Sequence, residues 1–238
     1  MLPSSLWQKE LAETIANRRS MMVKLVFPLT IGGCYLLAIS PGFYTATVIT
    51  LLATFVGCLG TGITLSKTRA NGMLRRLALT PLSPTRIVLE QLSINSTVAM
   101  CQLLPLAVVF AVRFGIYDAR IVAILLAMAA AVAATNLIGL IASLFAKSPG
   151  EAVLYSSMAL VPLLYLAGVF SPMGTNLDFR SFLAAGIPYS YLQQALVAAM
   201  GEVPLWPGRL VAEYSTAAIV VVGVISATLA QYAVRADS

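Results

Sequence analysis

Long apolar runs nearly free of charge dominate this chain of 238 residues. A helix needs about 20 largely apolar residues to cross a bilayer. Backbone inside hydrocarbon must also satisfy its own hydrogen bonds, which favours helices there. Six runs qualify as spans: Leu25–Ile39, Tyr44–Leu65, Ile87–Val112, Ile121–Phe145, Ala152–Phe170 and Ser215–Tyr232. The first is short and stops at Ser40-Pro41-Gly42, so it either stands nearly upright or begins earlier. Charged residues make up 10% of the chain and hydrophobic residues 59%. An average soluble domain carries about 25% charged residues, so a water-soluble fold could not cover itself. The expectation is an all-α integral membrane protein forming a single domain over 1–238.

Helix signals agree with these limits. Ser148-Pro149-Gly150-Glu151 combines a capping serine, a proline at the first helical position and a glutamate three residues on. Ser83-Pro84 opens the third span in the same way. Before the first span, Trp7, Leu11 and Ile15 fall on one face, while Lys9, Glu10, Glu13, Arg18 and Arg19 lie elsewhere. That pattern predicts an amphipathic helix in the membrane interface; a solvated helical extension is the plainer alternative. The opening stretch lacks the short apolar core and cleavage site of a signal peptide.

Lysine and arginine set the orientation. With the N-terminus inside, Lys9, Arg18, Arg19, Lys24, Lys67, Arg69, Arg75, Arg76, Arg86, Lys147 and Arg235 are cytoplasmic. Arg113, Arg120, Arg180 and Arg209 are external. The excess predicts a multi-pass protein with both termini in the cytoplasm. The net charge of +6 gathers at span ends, where anionic headgroups lie, so lipid is the expected partner and nucleic acid is not.

Two connections are long. Ser66 to Arg86 is cytoplasmic and basic, with a turn at Asn71-Gly72. Beyond it, Met73 to Leu79 fits two helical turns ended by Pro81. Met73, Leu74, Leu77 and Ala78 form an apolar face, with Arg75, Arg76 and Leu79 elsewhere. Such a helix suits docking on a partner or resting on anionic lipid. Ser171 to Tyr214 is external and too apolar for a free loop. Ser181–Ala185 and Tyr189–Met200 read as short helices separated by Gly186-Ile187-Pro188, either re-entrant or interfacial. Tyr189, Tyr191 and Trp206 are candidate interface anchors.

The chain has no histidine, which removes His-based metal sites and general bases. Cys34, Cys58 and Cys101 lie inside apolar runs without metal-ligand spacing and read as small buried hydrophobes. No metal site and no catalytic group is expected. The acids sit near span ends or in connections, and Glu90 lies one turn from Arg86 as a surface pair. Polar residues inside the spans do form stripes. Thr47, Thr50, Thr54, Cys58 and Thr61 fall within a narrow arc of the second span, and Gln91, Asn95 and Gln102 share a face of the third. Asn136 lies in the fourth span; Ser156 and Ser157 lie in the fifth. Polar groups are costly against lipid, so these faces should meet protein or water.

The order of parts resembles the ABC-2 family of exporter permeases, of the type V transporter class. Asn71-Gly72-Met73-Leu74-Arg75-Arg76-Leu77-Ala78-Leu79-Thr80-Pro81-Leu82-Ser83 is similar to the family's loop before the third helix. Relatives carry an acidic residue before that glycine, and 66–89 here has none. Gly168-Val169-Phe170-Ser171-Pro172-Met173 and Ile187-Pro188-Tyr189-Ser190-Tyr191 resemble the fifth-helix exit and the start of a re-entrant hairpin. Isoleucine stands there where the family has asparagine.

The resemblance implies two permease copies, identical or not, with two separate ABC ATPase subunits. It assigns Met73, Leu74, Arg75, Arg76 and Leu77 to a coupling helix. It places the second and fifth helices at the dimer axis, so Thr47, Thr50, Thr54, Thr61, Ser156 and Ser157 either line a translocation path or pack helices together. The chain lacks G-x-x-x-x-G-K-[ST], so ATP and magnesium would be bound by the partner, and this chain needs no cofactor of its own. Competing readings are a non-transporting membrane scaffold, a haem-export or cytochrome-maturation subunit, and a membrane enzyme acting on lipid headgroups. The last would need clustered acids that the sequence does not offer.

Overall fold

The computed structural model describes residues 18–38, 42–72, 84–170 and 179–204, with isolated positions between 213 and 228. The described residues form seven helices: α1 (Arg18–Ala38), α2 (Phe43–Ala70), α3 (Pro84–Phe114), α4 (Arg120–Phe145), α5 (Pro149–Leu166), α6 (Phe179–Ala185) and α7 (Pro188–Ala199). Four of them, α2 to α5, are long and apolar enough to cross a membrane. In α1 the described side chains include a shorter apolar stretch, Val26–Tyr35. The expected N-terminal interfacial helix and the sixth span fall outside the described residues, apart from isolated positions of the latter.

Hydropathy marks membrane depth better than helix ends, and several boundaries move for that reason. The first helix already includes Arg18, in keeping with the earlier start the sequence allowed, and the second continues past Leu65 to Ala70. Charged helix ends suit water or headgroups better than hydrocarbon. The last turn of α2 carries Lys67 and Arg69, which suit the negative end of the helix dipole. The Asn71-Gly72 turn then closes with Gly72 N–H donating to the Arg69 carbonyl at 2.8 Å.

The fifth helix stops at Leu166 rather than Phe170 because Gly168 turns left-handed at φ 76°. Gly168 N–H donates to the Tyr165 carbonyl and Val169 N–H to that of Leu164. This pair of bonds satisfies carbonyls that would otherwise be left open. Gly201, at φ 87°, ends α7 with the same two bonds, to Ala198 and Val197. At the start of α5, Ser148 Oγ accepts from Glu151 N–H at 3.2 Å as the capping box requires. The Glu151 carboxylate accepts from Lys147 N–H, one residue before the cap, at 2.8 Å.

Helix α2 is the centre of the molecule and touches α1, α3, α4, α5 and α7. It runs in the same direction as α4, and their backbones nearly meet. A Cβ on Gly139 of α4 would overlap the Cys58 carbonyl, and one on Gly57 of α2 would overlap Thr135 Oγ1. Small residues permit this approach, and dispersion and hydrogen bonds then hold helices together without a hydrophobic drive. The outer surfaces of the long helices remain apolar: Val112, Leu126, Leu154 and Met158 are all more than 60% exposed. A face like this needs lipid or another apolar protein against it.

Cys58 is buried, but Cys34 and Cys101 are exposed, so only one cysteine packs in the interior as expected.

Candidate functional site

The threonine stripe of α2 lies at the heart of the chain. Thr47, Thr50, Thr54 and Thr61 are all nearly or fully buried. Each hydroxyl has a partner on another helix or on the segment after α5. Thr47 Oγ1 lies 2.9 Å from the Val169 carbonyl, just past the end of α5, and 3.0 Å from the Phe43 carbonyl of its own helix. Thr50 Oγ1 donates to the Ala46 carbonyl at 2.8 Å and also meets the Gln193 carboxamide of α7. A hydroxyl has one proton. With that proton on Ala46, the amide orientation that strands no donor turns the Gln193 NH2 toward Thr50.

Thr54 repeats the arrangement one turn further on. Its hydroxyl donates to the Thr50 carbonyl at 2.7 Å, and the Tyr189 hydroxyl meets it from α7. By the same count Tyr189 is the donor. The two α7 residues are four apart, as are their threonines, so the contacts form a two-rung ladder between antiparallel helices. Tyr189, Ser190, Gln193 and Gln194 are all buried.

The elbow between α6 and α7 is tied internally. Ser190 Oγ bonds the Ala184 and Ile187 carbonyls, and Tyr191 Oη donates to the Ala185 carbonyl at 2.9 Å. Ile187 caps α7 with no side-chain bond, so the short helix depends on these ties and on the ladder. Tyr189 and Tyr191 are therefore interior groups within the chain rather than surface anchors. Trp206 lies outside the described residues.

Below the ladder, Thr61 Oγ1 donates to Asn136 Oδ1 at 2.8 Å, and Asn136 Nδ2 donates to Ser96 Oγ at 2.6 Å. One carboxamide thereby joins α2, α4 and α3. Ser156 of α5 is fully buried, and a Cβ on Gly62 would come within 3.1 Å of its Oγ. Ser157 is part-buried and donates to the Val153 carbonyl of its own helix at 2.8 Å. At the far end of α2, the Arg69 guanidinium donates to the Ser143 and Leu144 carbonyls at 2.5 and 3.0 Å, holding the C-terminal turn of α4.

The structure thus gathers Thr47, Thr50, Thr54 and Thr61 with Ser156 into one polar interior, while Ser157 stays on its own helix. Met73, Leu74, Arg75, Arg76 and Leu77 lie outside the described residues. Sequence reasoning missed Gln193 altogether. Its available signal was the pair of adjacent amides, Gln193-Gln194, in an otherwise apolar helix.

A search among curated proteins found no match. A family model described as ABC-2 type transporter matches residues 4–200. That range takes in every helix described above and well over half of the chain. This multi-pass membrane protein, a permease component that is not itself catalytic, belongs to the ABC-2 type transporter family.

Proposed function

We propose that the chain is the transmembrane subunit of an ATP-driven exporter, paired with a second permease copy and coupled to two separate ATPase subunits. The observation that carries this reading is the family match over a chain with no phosphate-cradling loop. In this reading the ATPase subunits hold the ATP and magnesium and supply the energy.

In this reading six spans cross the plasma membrane, both termini are cytoplasmic, and an amphipathic helix precedes the first span. The α6–α7 hairpin dips into the membrane from outside. Tyr189 meets Thr54, which lies about 16 Å along α2 from Phe43 at the usual helical rise. That distance is roughly half of a hydrocarbon core about 30 Å thick.

The translocation path runs at the dimer axis beside α2 and α5 and uses Thr47, Thr50, Thr54, Thr61, Ser156 and Ser157. The ladder acts as its outer seal, because α7 covers Thr50 and Thr54. The path opens when the hairpin withdraws and frees those hydroxyls. Closure of the ATPases drives this through Met73, Leu74, Arg75, Arg76 and Leu77, shifting the balance between two states of the path. A mostly apolar interior with hydroxyls and amides suits a lipid-like or amphipathic substrate.

The test is co-purification with an ATPase, followed by reconstitution into liposomes. Substrate-stimulated ATP hydrolysis is expected, and Thr50→Val with Thr54→Val should change transport while leaving assembly intact. Hydrolysis that no transported compound stimulates would make the chain a non-transporting scaffold. Unchanged transport in the double variant would reduce the ladder to packing.

A further inference from the structure

The contact between α2 and α7 continues past its two rungs. Thr54 faces Tyr189, and Thr50 faces Gln193. Two more steps of four residues along the antiparallel pair bring Gly42 opposite Gly201, beside Glu202. The structure makes that contact: a Cβ added to Gly42 would overlap the Glu202 carboxylate. Any side chain there would push the acid away, so glycine is what admits it. The carboxylate fills the space where the cap residue's own side chain would begin.

The two helix ends give this carboxylate opposite surroundings. Glu202 N–H closes the end of α7 on the Val197 carbonyl at 3.2 Å. The acid therefore sits at the negative end of its own helix, where an anion is disfavoured. Gly42 is the N-cap of α2 and supplies no side-chain bond, and the first turn of α2 holds no acid. The positive end of α2 is left for an anion from elsewhere, and Glu202 Oε1 lies against it. A cation is close by, since Arg120 Nη1 comes within 3.4 Å of where a Cβ on Gly201 would stand. Its guanidinium is held by Asp118 at 2.8 Å, and Glu202 forms no ion pair among the described residues.

We propose that Glu202 is a positioning residue whose carboxylate caps α2 from the end of α7 and latches the α6–α7 hairpin against α2 by charge. The latch is a property of the packed hairpin; that it sets how readily the path opens rests on the transport reading above. Glu202 is exposed, so water and dissolved ions reach the charge that holds the hairpin, and the hold is modest and sensitive to salt.

Hydrogen exchange of the α7 amides, in the full-length protein in lipid nanodiscs, tests the latch whether or not the chain transports anything. Glu202→Gln keeps the side chain's shape and removes its charge. Were the acid felt only by its own helix, removing it would slow exchange. As a latch on α2, its loss should speed exchange about two- to fivefold.

Raising salt from about 0.01 M to about 1 M shortens the reach of a charge from about 30 Å to about 3 Å. Wild-type exchange should speed by a similar factor over that range, and Glu202→Gln should not respond. The wild-type arm needs no variant, so a folding defect does not decide the outcome. Arg120→Gln should keep the salt response, because its charge is already paired with Asp118. Slower or unchanged exchange in Glu202→Gln, a flat wild-type salt response, or loss of that response in Arg120→Gln would each overturn the latch. The transport reading fails on a different measurement, substrate-stimulated ATP hydrolysis, so the two can be told apart.

Discussion

Asn136 uses both ends of its carboxamide, accepting from Thr61 and donating to Ser96. Asn136→Leu keeps the volume and removes both bonds, so stability should fall by about 1–2 kcal/mol, read by thermal or steric-trap unfolding in bicelles. Gly139→Ala is expected to be worse, about 1–3 kcal/mol, since the added methyl meets backbone rather than a yielding side chain.

The ladder invites a double-mutant cycle. Thr50→Val strands the buried Gln193 amide and should cost about 1–3 kcal/mol. Adding Gln193→Leu should restore part of that loss, because two apolar groups of similar shape leave nothing unpaired. A double variant as unstable as the sum of its parts would argue against a bond between the two residues.

At this scale the sequence was half legible. Spacing alone put Thr47, Thr50, Thr54 and Thr61 on one face that must avoid lipid. It could not name Gln193 and Tyr189 as their partners, because those contacts join residues 143 and 135 positions apart. No local pattern encodes such a pairing.

Among the elements, composition located the spans because hydrocarbon demands long apolar helices. It was blind to the stop after Leu166, which is set by a backbone rotation at Gly168 and not by hydropathy. Gly168→Ala must force an ordinary residue into the left-handed region, at a cost of about 1 kcal/mol or more. It should also shift the Val169 carbonyl away from Thr47, loosening the end of α5. Faster hydrogen exchange confined to residues around 164–169 would register this.

For the molecule as a whole, the distribution of lysine and arginine is the strongest clue to orientation. With native cysteines replaced, Tyr117→Cys should react with an impermeant maleimide on intact cells, and Ala70→Cys only after permeabilisation. Both native side chains are exposed. The reverse pattern would invert the topology. In the assembled transporter, Arg75→Glu with Arg76→Glu should separate ATP hydrolysis from transport, and unaltered stimulation would count against a docking role for that loop.

The close contact between α2 and α4 has a mechanical consequence. Two parallel helices whose backbones touch at Gly57 and Gly139, joined through Asn136 and clamped at one end by Arg69, leave little slack between them. Interiors packed this tightly transmit strain instead of absorbing it. A stroke applied where α2 ends at Ala70 would carry both helices as one stiff strut, and its far end would arrive at the Thr50 and Thr54 rungs undiminished.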